Sequence, residues 1–168
     1  MPKLAIIYST KTGNTEKVAN SILSVNEDAK YIDASDFKES DLDDITHVII
    51  GFWIKAGKVN PEARKVIEKI KNKKVGVFMT LSSDPETENS KKVLNNSLEL
   101  IENGNNEILE SFVCQGRLNN KFLIAISKLN KSLRDINDDE MIDSAESSKE
   151  HPNKEDLEEA KKLSLIHI

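Results

Sequence analysis

The sequence predicts an α/β fold with a parallel sheet covered by helices on both faces, and three observations carry that prediction. Short β-branched runs alternate with stretches at helical spacing. The strand-like runs are apolar almost without interruption. The first of them ends in a polar corner that opens a helix. Strands that read as continuous apolar runs are buried on both faces, as in parallel sheets joined by helical crossovers.

Each element follows from its pattern. Strands are predicted over "KLAIIYS" (3–9), "AKYID" (29–33, the weakest), "HVIIGFW" (47–53), "KVGVFMT" (74–80) and "EILESFVCQ" (107–115). Helical spacing appears in Val18, Ile22 and Leu23, then in Ala63, Val66, Ile67 and Ile70, where Pro61 suits a first turn. Leu94, Leu98 and Ile101 mark a third helix; Phe122, Ile126, Leu129 and Leu133 form another apolar stripe. The terminal helix, about 154–164, follows a cap residue, Asn153, and begins with acids. Between them, 135–153 is polar and acidic and reads as a loop or short helix, while the final "SLIHI" carries no readable chemistry. One domain over 1–168 is expected, long enough to bury a core.

Composition excludes several classes of function. No run approaches the roughly 20 apolar residues that span a bilayer, so no membrane partner is expected. "MPKLAIIYS" lacks a cleavage pattern and reads as a first strand, not a leader. A single cysteine, Cys114, rules out an internal disulfide and a cysteine-ligated metal, which points to a cytoplasmic protein. Inside a strand, Cys114 reads as a small buried hydrophobe. The net charge of −5 is uneven: residues 135–160 hold eleven Asp or Glu against two Lys, a local −9 that leaves +4 elsewhere. That balance argues against nucleic acid, which needs basic surface. His47, His151 and His167 have neither metal spacing nor a triad partner, so no catalytic residue and no metal is expected.

The informative stretch is "YSTKTGNTEKVAN" (8–20). Ser9, Thr10, Thr12 and Thr15 place four hydroxyls within seven residues, with Asn14 and Gly13 among them. In a doubly wound sheet, ligands sit at the carboxyl ends of the strands. Exposed N–H groups at a helix start attract an anion, and Gly13 allows close approach. Neutral donors from Thr10, Thr12, Asn14 and Thr15 fit a phosphate pocket, Lys11 adding its amide more than its charge. Plain capping is the alternative; one hydroxyl would suffice for it, and four exceed the need. G-x-G-x-x-G and G-x-x-x-x-G-K are both absent.

"T-K-T-G-N-T" at 10–15, between a first strand and a first helix, resembles the flavin mononucleotide (FMN) phosphate loop of the flavodoxin family. The resemblance implies a five-stranded parallel sheet of order 2-1-3-4-5 and non-covalent FMN. It also implies two flavin walls. After the third strand stands Trp53, the only tryptophan, placed to stack on the ring or, alternatively, to pack at the core edge, with Phe52 turned into the core. Ile54, Lys55 and Gly57 follow it. Many relatives have a glycine where Ile54 stands; a β-branched residue resists positive φ, so a peptide flip would use the bond between Ala56 and Gly57. After the fourth strand, Thr80, Leu81 and Ser82 are expected at the flavin's polar edge, with Ser83 a further candidate; the alternative is that Ser83 or Asp84 simply caps the next helix. No aromatic occurs between Phe78 and Phe112, so one flavin face is expected to lie open. Lys55 and Lys58 stand where relatives carry acids, which would raise the low-potential couple unless both simply point to water.

"F-W-I-K" and "F-V-C-Q-G" are also similar to short flavodoxin-like proteins linked to bilirubin reductases. The resemblance implies a monomeric electron carrier between a reductase and an acceptor enzyme, the acidic segment helping to dock a basic partner. A small FMN-dependent oxidoreductase, of quinone reductase or protoporphyrinogen oxidase type, is the alternative. A flavin-free interaction module is the third.

Overall fold

A computed structural model describes residues 3–117 and 148–165. The stripe from Phe122 to Leu133, the acidic residues 135–147 and His167 lie outside the described residues. The elements run β1 (Leu4–Tyr8), α1 (Asn14–Leu23), β2 (Lys30–Asp33), two 3-10 turns (Ala34–Asp36 and Glu39–Leu42), β3 (His47–Lys55) and β4 (Lys58–Val59). Then come α2 (Pro61–Ile67), β5 (Lys74–Leu81), α3 (Glu88–Glu102), β6 (Glu107–Gln115) and α4 (Lys154–Leu165).

The long strands pair in parallel in the order β2-β1-β3-β5-β6, and β4 pairs antiparallel with β3. Setting aside the two-residue β4, this is the expected 2-1-3-4-5. Alternation along each strand feeds two cores. Ala5, Ile7, Val48, Ile50 and Phe52 face Ala63, Val66 and Ile67 of α2 and Val93 and Ile101 of α3. Ile6, Tyr8, Ile49 and Phe78 face Val18, Ala19 and Ile22 of α1 and Ala160 and Leu163 of α4. Each fully buried Ile or Phe contributes about 1.5–3 kcal/mol. Gly51 makes room for one of them, because a Cβ there would lie 1.9 Å from the Phe78 ring. Cys114 is buried, and burial pushes its thiol well above the usual range.

The third helix forms as its spacing predicts, and two of its details go beyond that reading. The buried face of α3 centres on Ser90, Val93, Ser97 and Ile101, while Leu94 and Leu98 are only partly buried at its flank. Small hydroxyls fit this face because each finds a carbonyl: Ser97 donates to Val93 O at 2.8 Å, Ser90 to Asp84 O at 2.8 Å. The cap of α3 is Thr87, whose Oγ1 accepts from Ser90 N–H; Asp84 instead accepts from Glu86 N–H within the preceding turn.

Candidate flavin site

Four chain segments leave the carboxyl edge of the sheet around a cavity of about 440 Å³. The first is the corner after β1. Gly13 is the N-cap of α1 at φ 92, a left-handed conformation that glycine reaches without strain, and no side chain caps the helix. The hydroxyls shape the corner instead. Thr10 Oγ1 accepts from Gly13 N–H at 3.0 Å, and Asn14 Nδ2 donates to Thr12 Oγ1 at 3.2 Å and to Arg117 O at 2.8 Å. The buried Thr15 hydroxyl bonds to that of Thr80 at 2.9 Å, tying the helix start to the end of β5. The N–H groups of α1's first turn therefore face outward at the positive end of the helix dipole.

The second segment is a tight hairpin that the sequence did not announce. Ile54 pairs with Val59 and Lys55 with Lys58, and the two linking residues, Ala56 (φ 50) and Gly57 (φ 77), both have positive φ. That is the conformation of a two-residue hairpin turn matching strand twist. Asn60 locks it to the first corner. Its Oδ1 accepts from Trp53 N–H at 3.2 Å, its own N–H donates to Trp53 O at 3.1 Å, and its Nδ2 donates to Ser9 Oγ at 2.6 Å. The Ser9 hydroxyl donates in turn to Glu62 at 3.2 Å.

Most of the residues singled out in the sequence meet here. Thr10, Lys11, Thr12, Asn14 and Thr15 line the cavity from the first corner. Trp53, Ile54, Lys55 and Gly57 line it from the hairpin, and Thr80, Leu81 and Ser82 from the end of β5. Ser9 does not; it is 0% exposed and its hydroxyl is turned to Asn60 and Glu62. Gly13 shapes the turn without lining the cavity. Four lining residues escaped sequence reading: Asn89 and Val93 from α3, and Gly116 and Arg117 beyond β6. Gly116 and Arg117 follow the rule that already located the other walls, since β6 is parallel and ends at the same edge. A Cβ on Gly116 would lie 2.9 Å from Asn14 Nδ2, so glycine is what lets that amide reach Arg117 O.

The lining has one sign of charge. Among the described residues Lys11, Lys55 and Arg117 border the cavity and no Asp or Glu does. The Lys11 ammonium stands 5.7 Å from the centroid of the half-buried Trp53 ring. Among the described lining residues Trp53 is the aromatic one, and the stretch from Leu81 to Ser83 is aliphatic and polar.

A family model described as a flavodoxin domain matches residues 5–164. The chain belongs to the flavodoxin family. It is 28% identical to the flavodoxin-like domain-containing protein BilS of Clostridioides difficile, over 94% of this chain and 92% of that one. Oxidised flavodoxin 1 from Bacillus cereus superposes with a TM-score of 0.63 at 17% identity, covering 98% and 96% of the two chains. A short-chain flavodoxin associated with a non-canonical PDU bacterial microcompartment gives 0.63 at 14% identity, covering 99% and 96%. The two structural likenesses establish the fold. Flavodoxins are FMN-binding electron-transfer proteins, and FMN is the cofactor that membership brings to this chain. The residues present fit it: an uncapped helix start and neutral donors suit a phosphate dianion, and the cationic, acid-free lining offsets its charge.

Among the described residues no helix is long and apolar enough to cross a membrane, and no cluster of His, Cys, Asp or Glu could hold a metal ion. His47 begins β3, away from the cavity. His151 Nδ1 lies 2.6 Å from Asp156 Oδ2, within the capping arrangement of α4.

Proposed function

We propose that this chain carries electrons on FMN from a reductase to an acceptor enzyme. The observation that supports this best is the α1 start, which carries no side-chain cap and opens on a cavity bordered by the lone tryptophan. In this reading the first-turn amides of α1, with Thr10, Thr12, Asn14 and Thr15, hold the phosphate. Trp53 offers its ring to the flavin, and Ile54, Lys55 and Gly57 form the hairpin wall. Thr80, Leu81 and Ser82 meet the polar edge. Bound FMN supplies reversible one- and two-electron chemistry; the chain's residues orient it and set its electrostatic surroundings. Lys55 borders the cavity and would favour an anionic reduced flavin, so Lys55→Gln is expected to make the low-potential couple more negative. The resemblance to proteins linked to bilirubin reductases makes such a reductase the first acceptor to try.

The test is reduction of the FMN-loaded protein by NADPH, followed by its visible absorbance. Rapid reduction only with an added flavodoxin reductase supports a carrier. A second reading, a small flavoenzyme, draws on the lining from Leu81 to Ser83, which carries no aromatic side chain. Steady NAD(P)H oxidation by the isolated protein with a quinone acceptor would favour it.

A further inference from the structure

Among the described residues the cations at the cavity make no salt bridge, as is also true of other surface lysines such as Lys17 and Lys92; what sets them apart is that three of them border one cavity. The salt bridges among the described residues use Lys3, Arg64, Lys69, Lys91, His151, Lys161 and Lys162. Lys11, Lys55 and Arg117 pair with no carboxylate there, and all three are exposed. Lys58, exposed on β4 and paired across the hairpin with Lys55, does not line the cavity but adds a second charge to the hairpin and a fourth to the set. Glu16 in the first turn of α1 and Glu62 in that of α2 are the acids closest in the chain; neither lines the cavity, and Glu62 accepts from Ser9, while the acids on the loop after β5 have partners of their own. Asp84 accepts from Glu86 N–H, and Glu86 lies 3.9 Å from Lys91. Glu88, in the first turn of α3, is exposed but does not line the cavity.

These charges come from three separate segments: the corner after β1, the β3–β4 hairpin and the exit of β6. They converge on one mouth in a protein whose net charge is −5. Concentrated at a cleft with low-dielectric walls, such charges focus a positive potential outward. A bound phosphate would lie at the α1 start and would offset part of this field; the hairpin and β6 cations would still frame the mouth. The flavin itself would take up the cavity, so what remains for recognition is the outer face.

We infer that electrons leave this protein through a cationic docking face, formed by Lys11, Lys55, Lys58 and Arg117 around the cavity mouth, that receives an acidic patch on a partner protein. This rests on the proposal that the cavity holds FMN, and it reverses the expectation that an acidic surface of this chain docks a basic partner. Opposed charges would steer encounter and set orientation, and salt would weaken both.

Two measurements test it, one of them independent of flavin. In the flavin-free protein, Trp53 fluorescence is quenched with iodide and with caesium. With each quencher normalised to its effect on free N-acetyltryptophanamide, iodide is expected to be the better by about threefold or more, with the normalised ratio falling toward parity in a Lys11→Gln, Lys55→Gln, Lys58→Gln, Arg117→Gln variant. On that scale, caesium equal to or better than iodide in the unaltered protein overturns the inference whether or not FMN binds. In the FMN-loaded, reduced protein, oxidation is followed with acidic plastocyanin and with basic cytochrome c as salt is raised. The rate with plastocyanin is expected to fall about tenfold between low and high salt and the rate with cytochrome c to hold or rise. The opposite pair of slopes overturns the docking face while leaving FMN binding intact. A fast anionic small oxidant, ferricyanide, combined with plastocyanin that reacts slowly and without salt dependence, shows a small-molecule acceptor and likewise overturns it. Failure of FMN to bind at all would count against the functional proposal, and the quenching ratio would still decide the sign of the mouth.

Discussion

Three helices of this protein start with the same kinds of residue, and α1 uses them in the opposite way from α3 and α4. At α3, Thr87 bends back to accept the Ser90 N–H, and at α4 Asn153 and Asp156 exchange side-chain and backbone bonds at 2.9 Å each. These are self-contained ends. At α1, four hydroxyls and an amide stand within reach, yet none caps the helix. They fasten the corner to β5 and to the β6 exit, and Thr10 folds the loop onto Gly13. What separates a structural cap from a ligand cradle is therefore where the hydroxyls point, not how many there are.

That contrast can be broken or sharpened experimentally. The largest effect expected is from the ligand: FMN at a hundredfold excess over its Kd should add about 2.7 kcal/mol to unfolding stability. Denaturant melts of Gly13→Ala should show much less of that gain, because the left-handed corner is costly for any residue with a Cβ. Next is Asn60→Ala, which removes the donor to the buried Ser9 hydroxyl, leaving it only Glu62, and the acceptor of the Trp53 N–H. A loss of about 1–3 kcal/mol is expected by denaturant titration, along with weaker FMN quenching of Trp53; an unchanged melt would show that the hairpin is held by other contacts. Smaller still is Thr87→Ala, expected to cost about 1 kcal/mol with FMN affinity untouched. Thr10→Ala should do the reverse, lowering affinity more than stability. If the two variants behaved alike, the distinction between the helix starts would fail. The smallest change is Ala56→Asn, expected to raise stability by about 0.5 kcal/mol, since Asn tolerates the left-handed turn position better than Ala. A lowered Tm would mean that the turn is under no strain.

The fold was largely legible because five apolar runs needed burial on both faces, and helices between parallel strands are nearly the only way to provide it. What was not legible depended on single residues. The hairpin after Trp53 hides because β4 is two residues long and Ala56 stands where Asn would have announced a tight turn. The buried places of Ser90 and Ser97 on α3 were hidden because both read as surface until their carbonyl acceptors are seen. In the site, the β1 corner was readable from crowded hydroxyls and the hairpin wall from Trp53. Arg117 and Asn89 were not, since a lone cation after a strand or an amide in a helix carries no pattern. The inward turn of Ser9 was equally hidden: its partner Asn60 is 51 residues away.

The central claim is that the open start of α1 binds a phosphate. The direct test is to titrate the flavin-free protein with FMN and with riboflavin, following Trp53 quenching. The account predicts FMN binding tighter by about 100-fold or more, the worth of two or more charge-assisted hydrogen bonds. Equal affinity for the two flavins would contradict it.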